Sequence, residues 1–175
     1  MLRSYRLKDA RDVFDAARES LTAMYPWMPW AHKDYSIKDS REWMKKRPHE
    51  WGNGIEYDFA IFDARDGSFL GACGLNRIDH ANRSANLGYW VRSSRMGKGI
   101  APAATLLLAG WGFKELGLNR IEIVVAVGNL RSQRVAEKTG AQREGVMRNR
   151  LYLYDQIHDA ALYSLVPGDL ARAAI

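Results

Sequence analysis

The apolar positions of this chain change their spacing several times, and each change marks an element. Ala10, Val13, Phe14, Ala17 and Leu21 recur at helical spacing. They predict a first helix after a strand near Leu2 to Leu7, with Asp9 placed to cap the helix. Met24-Tyr25-Pro26-Trp27-Met28-Pro29-Trp30 is too proline-rich for either regular element. Ser36-Ile37-Lys38-Asp39 has the form of a capping box, opening a second helix through about Lys46, with Pro48 helping to stop it. Strands are predicted over Glu56–Asp63, Ser68–Ile78 and Ser84–Val91, and Asp66-Gly67 makes the turn of the first hairpin. From Gly99 to Phe113 no residue is charged, and Ala103, Leu106, Leu107, Gly110 and Phe113 recur near helical spacing. A helix this apolar packs on a sheet, with Pro102 suited to its first turn and Gly117 to its end. Ile121–Val127 reads as a nearly fully buried strand, and Asn129 or Ser132 caps a short helix to about Lys138, ended by Gly140. Strands over roughly Ala141–Tyr154 and His158–Val166 finish the sheet. Hairpins, then a strand–helix–strand unit, then more strands make an α+β mixed sheet.

Composition narrows the class. A chain of 175 residues reads most simply as one domain, residues 1–175, and 47% hydrophobic residues with six tryptophans argue against disorder. No apolar run approaches the roughly 20 residues of a membrane span, and Met1–Arg6 has no signal-peptide core. The single cysteine, Cys73, allows no internal disulfide, and the four histidines form no local ligand pair. The expectation is therefore a cytoplasmic protein with no metal site and no membrane partner. The formal charge is +6, but the basic residues are scattered, so solvated faces explain them better than direct nucleic-acid contact.

Candidate chemistry lies where the strand Leu87-Gly88-Tyr89-Trp90-Val91 runs into Met96-Gly97-Lys98-Gly99-Ile100-Ala101-Pro102. Glycines let backbone approach an anion, and the following helix presents unpaired N–H groups and the positive end of its dipole. Arg95 and Lys98 add positive charge, so the turn reads as a pyrophosphate cradle; a plain strand-to-helix connection would use the same glycines. A Walker loop is excluded because Gly99, not Ser or Thr, follows Lys98. A dinucleotide fingerprint is excluded by Pro102 at its third small position.

Met96-Gly97-Lys98-Gly99-Ile100-Ala101 resembles the acyl-CoA turn of the GCN5-related N-acetyltransferases (GNAT), aligned on Gly99 and Ala101. Met96 departs at the position of that family's Gln or Arg. Val127-Gly128-Asn129-Leu130-Arg131-Ser132, running on to Thr139-Gly140-Ala141, resembles the Asn-x-x-Ser signature of the ribosomal-protein N-terminal acetyltransferase branch, the RimJ/RimL type. Trp27-Met28-Pro29-Trp30, Arg143-Glu144-Gly145 and Asp155-x-x-His158-Asp159 are similar to that branch too. The resemblance implies a fold whose fourth and fifth strands, here Asn86–Val91 and Ile121–Val127, splay to admit pantetheine. It implies acetyl-CoA as acyl donor, held by Tyr89, Trp90, Val91, Met96, Gly97, Lys98, Gly99, Ile100, Ala101, Asn129 and Ser132. An amine acceptor, a protein N-terminus or a small amine, attacks the thioester directly, and Ser132 serves as the catalytic residue near the departing sulfur. Trp27, Trp30 and Tyr154 line the amine pocket in this reading, although aromatic core packing would account for them equally.

No general base is assigned. The positions where relatives carry a carboxylate hold Asn86 and Leu151, while Glu122 and Asp155 fit a strand-edge charge and a turn. That gap leaves an inactive acyl-CoA-binding sensor as one alternative, and a ribosome- or RNA-associated module as a second. Strand edges and the aromatic loop are compatible with a homodimer.

Overall fold

In the computed structural model, which describes residues 1–173, seven strands form one sheet in the order β1-β2-β3-β4-β5-β7-β6. The strands are β1 (Leu2–Arg3), β2 (Tyr57–Phe62), β3 (Phe69–Asp79), β4 (Ser84–Val91), β5 (Arg120–Ala126), β6 (Gln142–Leu153) and β7 (Gln156–Leu165). Every neighbouring pair is antiparallel except β4 and β5. The helices are α1 (Ala10–Met24), α2 (Ile37–Gly52), α3 (Ile100–Glu115), α4 (Leu130–Lys138) and α5 (Pro167–Ala173). This is the expected α+β class. No helix among the described residues is long and apolar enough to cross a membrane.

The parallel pairing of β4 with β5 is short. It joins Ser84 to Arg120, Ala85 to Ile121 and Asn86 to Glu122, and then stops. Leu87–Val91 keep β3 on one side but have no strand on the other. Beyond Asn86 and Glu122 the facing edges of the two strands have no ladder partner among the described residues. The expected splay is present.

Two cores lie on the two sides of the sheet. Leu75, Leu87, Leu108, Ile121, Ile123 and Tyr163 anchor the larger, beneath α3, and Val13, Ala16, Met44, Phe62 and Phe69 build the other, beneath α1 and α2. The face of α3 differs from the expected one. Ala104, Thr105, Leu108, Ala109 and Gly112 are buried, whereas Ala103 and Leu107 are exposed. A helix that is apolar all round carries no phase in its hydrophobicity, so size decides. A Cβ on Gly112 would lie 3.0 Å from Leu75 Cδ1, and small residues on this side let the helix sit close to the sheet.

Three other elements depart from their sequence expectation. β1 ends at Arg3, because Asp9 accepts two hydrogen bonds from the Arg3 guanidinium (2.7 and 2.8 Å) and one from the Arg6 N–H (2.8 Å). Asp9 thus ties down the chain entering α1 and makes no side-chain cap to it. α2 begins in the expected Ser36–Asp39 capping box but runs past Pro48 to Gly52. Its last turn is held from outside: Arg47 pairs with Glu50, Glu56 and Asp58, and Trp51 packs edge-on against Tyr57 and Phe59. Those contacts offset the backbone bond that proline removes. α5 has no counterpart among the expected elements, being only seven residues long.

Candidate active site

The turn after β4 is shaped by its glycines. Gly97 and Gly99 sit at φ +76° and +75°, where side-chain-bearing residues are rare, and a Cβ at either would point into open space. Gly99 is the N-cap of α3 and supplies no side-chain cap, so the first N–H groups of this 16-residue helix are left for an outside acceptor. The preceding segment is fastened to α1. The Glu19 carboxylate accepts from Arg92 (Nε at 3.0 Å, and also Nη2) and from the Ser94 N–H (2.7 Å), and Ser20 Oγ accepts from the Ser93 N–H (2.9 Å). Arg92 and the Ser94 N–H hold the Glu19 carboxyl down at about 2, against the partial burial that opposes ionisation.

Across the gap, Asn129 caps α4. Its Oδ1 accepts from the Ser132 N–H at 3.1 Å, which fixes Ser132 in the first turn. The Tyr89 phenol reaches over from β4, donating to the Ser132 carbonyl at 2.9 Å and sharing a hydrogen bond with Ser132 Oγ at 3.0 Å. Burial pushes the Tyr89 hydroxyl up to about 12, so it stays protonated near neutrality. Tyr89 thus ties β4 to the first turn of α4, the helix that follows β5.

A cavity of about 970 Å³ follows this gap. Of the residues singled out in the sequence, Trp27, Tyr89, Trp90, Val91, Met96, Gly97, Gly99, Ile100, Ala101, Asn129 and Ser132 line it. Lys98 does not; it lies with Arg65 on a separate 280 Å³ hollow behind the turn. Trp30 and Tyr154 stand outside the lining and support it. Trp30 packs against Trp90 (centroids 5.7 Å apart), and Tyr154 stacks on Tyr25 at 4.6 Å while its hydroxyl donates to the Met28 carbonyl at 3.4 Å. Trp27 closes the same end, since a Cβ on Gly128 would lie 3.1 Å from its ring. At the apex, Asn86 Nδ2 donates to Asn76 Oδ1 at 2.9 Å. Glu122 is engaged by Arg120 at 3.0 Å and Asp155 by the Tyr152 hydroxyl at 2.9 Å.

Three lining cations were not singled out in the sequence. Arg131, Arg134 and Lys138 border the cavity from α4, and none has a carboxylate within ion-pair distance among the described residues. Their spacing of three and four after a capping Asn is a readable helix stripe. What hid it was the even scatter of basic residues along the chain.

Comparison with known proteins agrees with this geometry. Residues 1–142 match the acetyltransferase (GNAT) domain family. YdaF of Bacillus subtilis (strain 168), whose name provisionally assigns it to ribosomal N-acetylation, is 35% identical over 164 residues, covering 91% of this chain and 86% of its own. The structure of RimJ from Mycobacterium smegmatis with CoA-disulfide superposes with a TM-score of 0.88 at 27% identity, over 99% of this chain and 87% of that one. The microcin C7 self-immunity acetyltransferase MccE, solved with acetyl-CoA and AMP, gives 0.87 at 26% identity, over 94% and 91%. With the family matched across most of its length and the sheet splayed between β4 and β5, this chain belongs to the GNAT acetyltransferases.

Proposed function

We propose that this protein is an acetyl-CoA-dependent N-acetyltransferase of the ribosomal-protein type, acting on a primary amine that is the N-terminal α-amino group of a polypeptide. Residues 1–175 act as one catalytic domain. The observation that carries the reading is the end of β4–β5 pairing at Asn86 and Glu122, which leaves Leu87–Val91 unpaired on that side in the strand that leads into the uncapped α3 N-terminus. In this reading an extended thioester arm lies between strand edges that no strand pairs with among the described residues, and its pyrophosphate meets the N–H groups after Gly99. Arg131, Arg134 and Lys138 complement the remaining phosphate charge. The named relatives bound to CoA-disulfide or acetyl-CoA support the same ligand here.

In this reading, the amine enters beside Trp27 and attacks the thioester carbonyl near Trp90 and Val91, whose free β4 backbone stabilises the oxyanion. Nitrogen–carbon bond formation is followed by loss of the carbon–sulfur bond. Ser132 Oγ, oriented by Tyr89 and by the Asn129 cap, passes a proton to the departing thiolate and takes back, through water, the one the amine gives up. Asn86 and Leu151 supply no carboxylate, so the ammonium proton leaves through water.

Release of free CoA thiol from acetyl-CoA, followed with and without N-terminal-Ser peptides, tests the proposal. Amine-dependent release with acetylated peptide as product is the expected result. Tight acetyl-CoA binding without turnover on any amine would instead favour the sensor reading, which the absent carboxylates support.

A further inference from the structure

The edge strand β6 carries a distortion next to the acceptor end of the cleft. Its register with β7 pairs Met147 with Ala160 and then Leu151 with His158, so Arg148, Asn149 and Arg150 stand opposite Asp159 alone. Asn149 is held at φ +55°, an uncommon conformation for a residue with a side chain, by its N–H donating to Asp159 Oδ1 at 2.8 Å. The Asp159 carbonyl in turn accepts from the Val127 N–H at 3.0 Å, immediately before Gly128 and Asn129 of the cavity wall. A bulge so placed re-aims its flanking side chains.

Those side chains are arginines that form no ion pair among the described residues. Arg148 is exposed and Arg150 half-buried, and neither has a carboxylate within ion-pair distance among the described residues. A guanidinium outside any ion pair keeps its planar fork of donors for an outside anion. The nearby acids are committed elsewhere, Asp159 to the bulge and Asp155 to Tyr152. β6 is also the last strand of the sheet, so its outer edge has no strand partner among the described residues. Exposed Val146 and Tyr152 lie along it.

We infer that the Arg148–Asn149–Arg150 bulge is an acceptor-recognition site for an acidic polypeptide, engaging carboxylates a few residues downstream of the amine that is acetylated. This rests on the proposed acetyltransferase reading and adds the substrate class. Guanidinium forks pair bidentately with carboxylates, and an extended chain leaving the cleft can bond its backbone to the free β6 edge. A polyamine would be repelled here. A nucleic acid could use the arginines but not the strand edge.

The test uses eight-residue peptides with a free N-terminal Ser followed by three Glu, three Gln or three Lys, with spermidine and an RNA oligonucleotide as further arms. Thiol release gives kcat/KM for each amine in wild type and in R148E/R150E, and calorimetry gives acetyl-CoA affinity. The expected kcat/KM for the Glu peptide exceeds those for the Gln and Lys peptides and spermidine by about tenfold or more, and the advantage shrinks with added salt. Charge reversal should remove that advantage and favour the Lys peptide, while the acetyl-CoA affinity changes less than about twofold. Equal use of the peptides, preference for spermidine, RNA binding abolished by the reversal without any peptide preference, or no peptide turnover despite acetyl-CoA binding would each overturn the inference. Failure to bind acetyl-CoA would overturn the underlying acetyltransferase reading instead.

Discussion

The two ends of the cleft are made in different ways. The proposed cofactor end is mainly backbone: two glycines at positive φ, an uncapped helix start and the strand edges of β4 and β5 past their pairing. The proposed acceptor end is made of side chains brought together over long distances, with Trp27 against Gly128, Trp30 against Trp90 and Tyr154 on Tyr25. A backbone cradle fits any ligand with the same phosphates, whereas a side-chain surround can be remodelled one residue at a time. The difference explains how one fold keeps its donor and changes its acceptor.

Disrupting the cofactor end at its foundation should have the largest effect. A Cβ on Gly71 would lie 2.2 Å from the Trp90 carbonyl oxygen and 2.8 Å from Val91 Cα, backbone that cannot yield. Gly71→Ala should force β3 from β4 behind the proposed oxyanion site and destabilise the fold by about 3 kcal/mol or more, measured by urea unfolding. Trp27→Ala addresses the other end. It should raise KM for the amine about tenfold and change acetyl-CoA affinity less than about twofold, a split that steady-state kinetics and calorimetry resolve. Equal losses of both would mean that the two ends are not separable.

Ser132→Ala lies where the ends meet. With Asn129 Oδ1 still accepting from the backbone N–H of residue 132, the expected result is a fall in kcat of about tenfold with acetyl-CoA binding retained. The smallest effect concerns pH. Glu19 is held at about 2 in the fold, below its ordinary value, so its contribution to stability is present above about pH 4.5. That contribution is lost as pH falls toward 2, and because the carboxylate is partly exposed the effect should be small. Glu19→Gln should flatten this part of the acid stability curve and loosen the turn before Gly97.

Legibility in the sequence follows the same division. Gly97, Gly99 and the Asn129 cap are local devices, in which a few adjacent residues determine the backbone, and they stand where their motifs put them. The Glu19–Arg92 tie joins residues 73 apart, and no spacing rule reaches that far. The bulge at Arg148–Arg150 exists only in the register between β6 and β7, which a strand pattern alone does not fix. Pro48 misled because its stop signal is local while the ion pairs of Arg47 that hold the turn are not. The buried face of α3 was unreadable for the opposite reason, since every face was apolar.

The central claim is that β4, β5 and the α3 N-terminus form an acyl-CoA site, and calorimetric titration of acetyl-CoA into wild type and Gly99→Trp tests it most directly. Gly99 has open space beside it but sits at positive φ, so the indole should both fill the approach to the helix start and strain the turn, with circular dichroism confirming that the variant still folds. Binding by wild type at about one equivalent, and a loss of about a hundredfold or more in the folded variant, is the expected result. A wild type that ignores acetyl-CoA, or a folded variant that binds it as well as wild type, would contradict the claim.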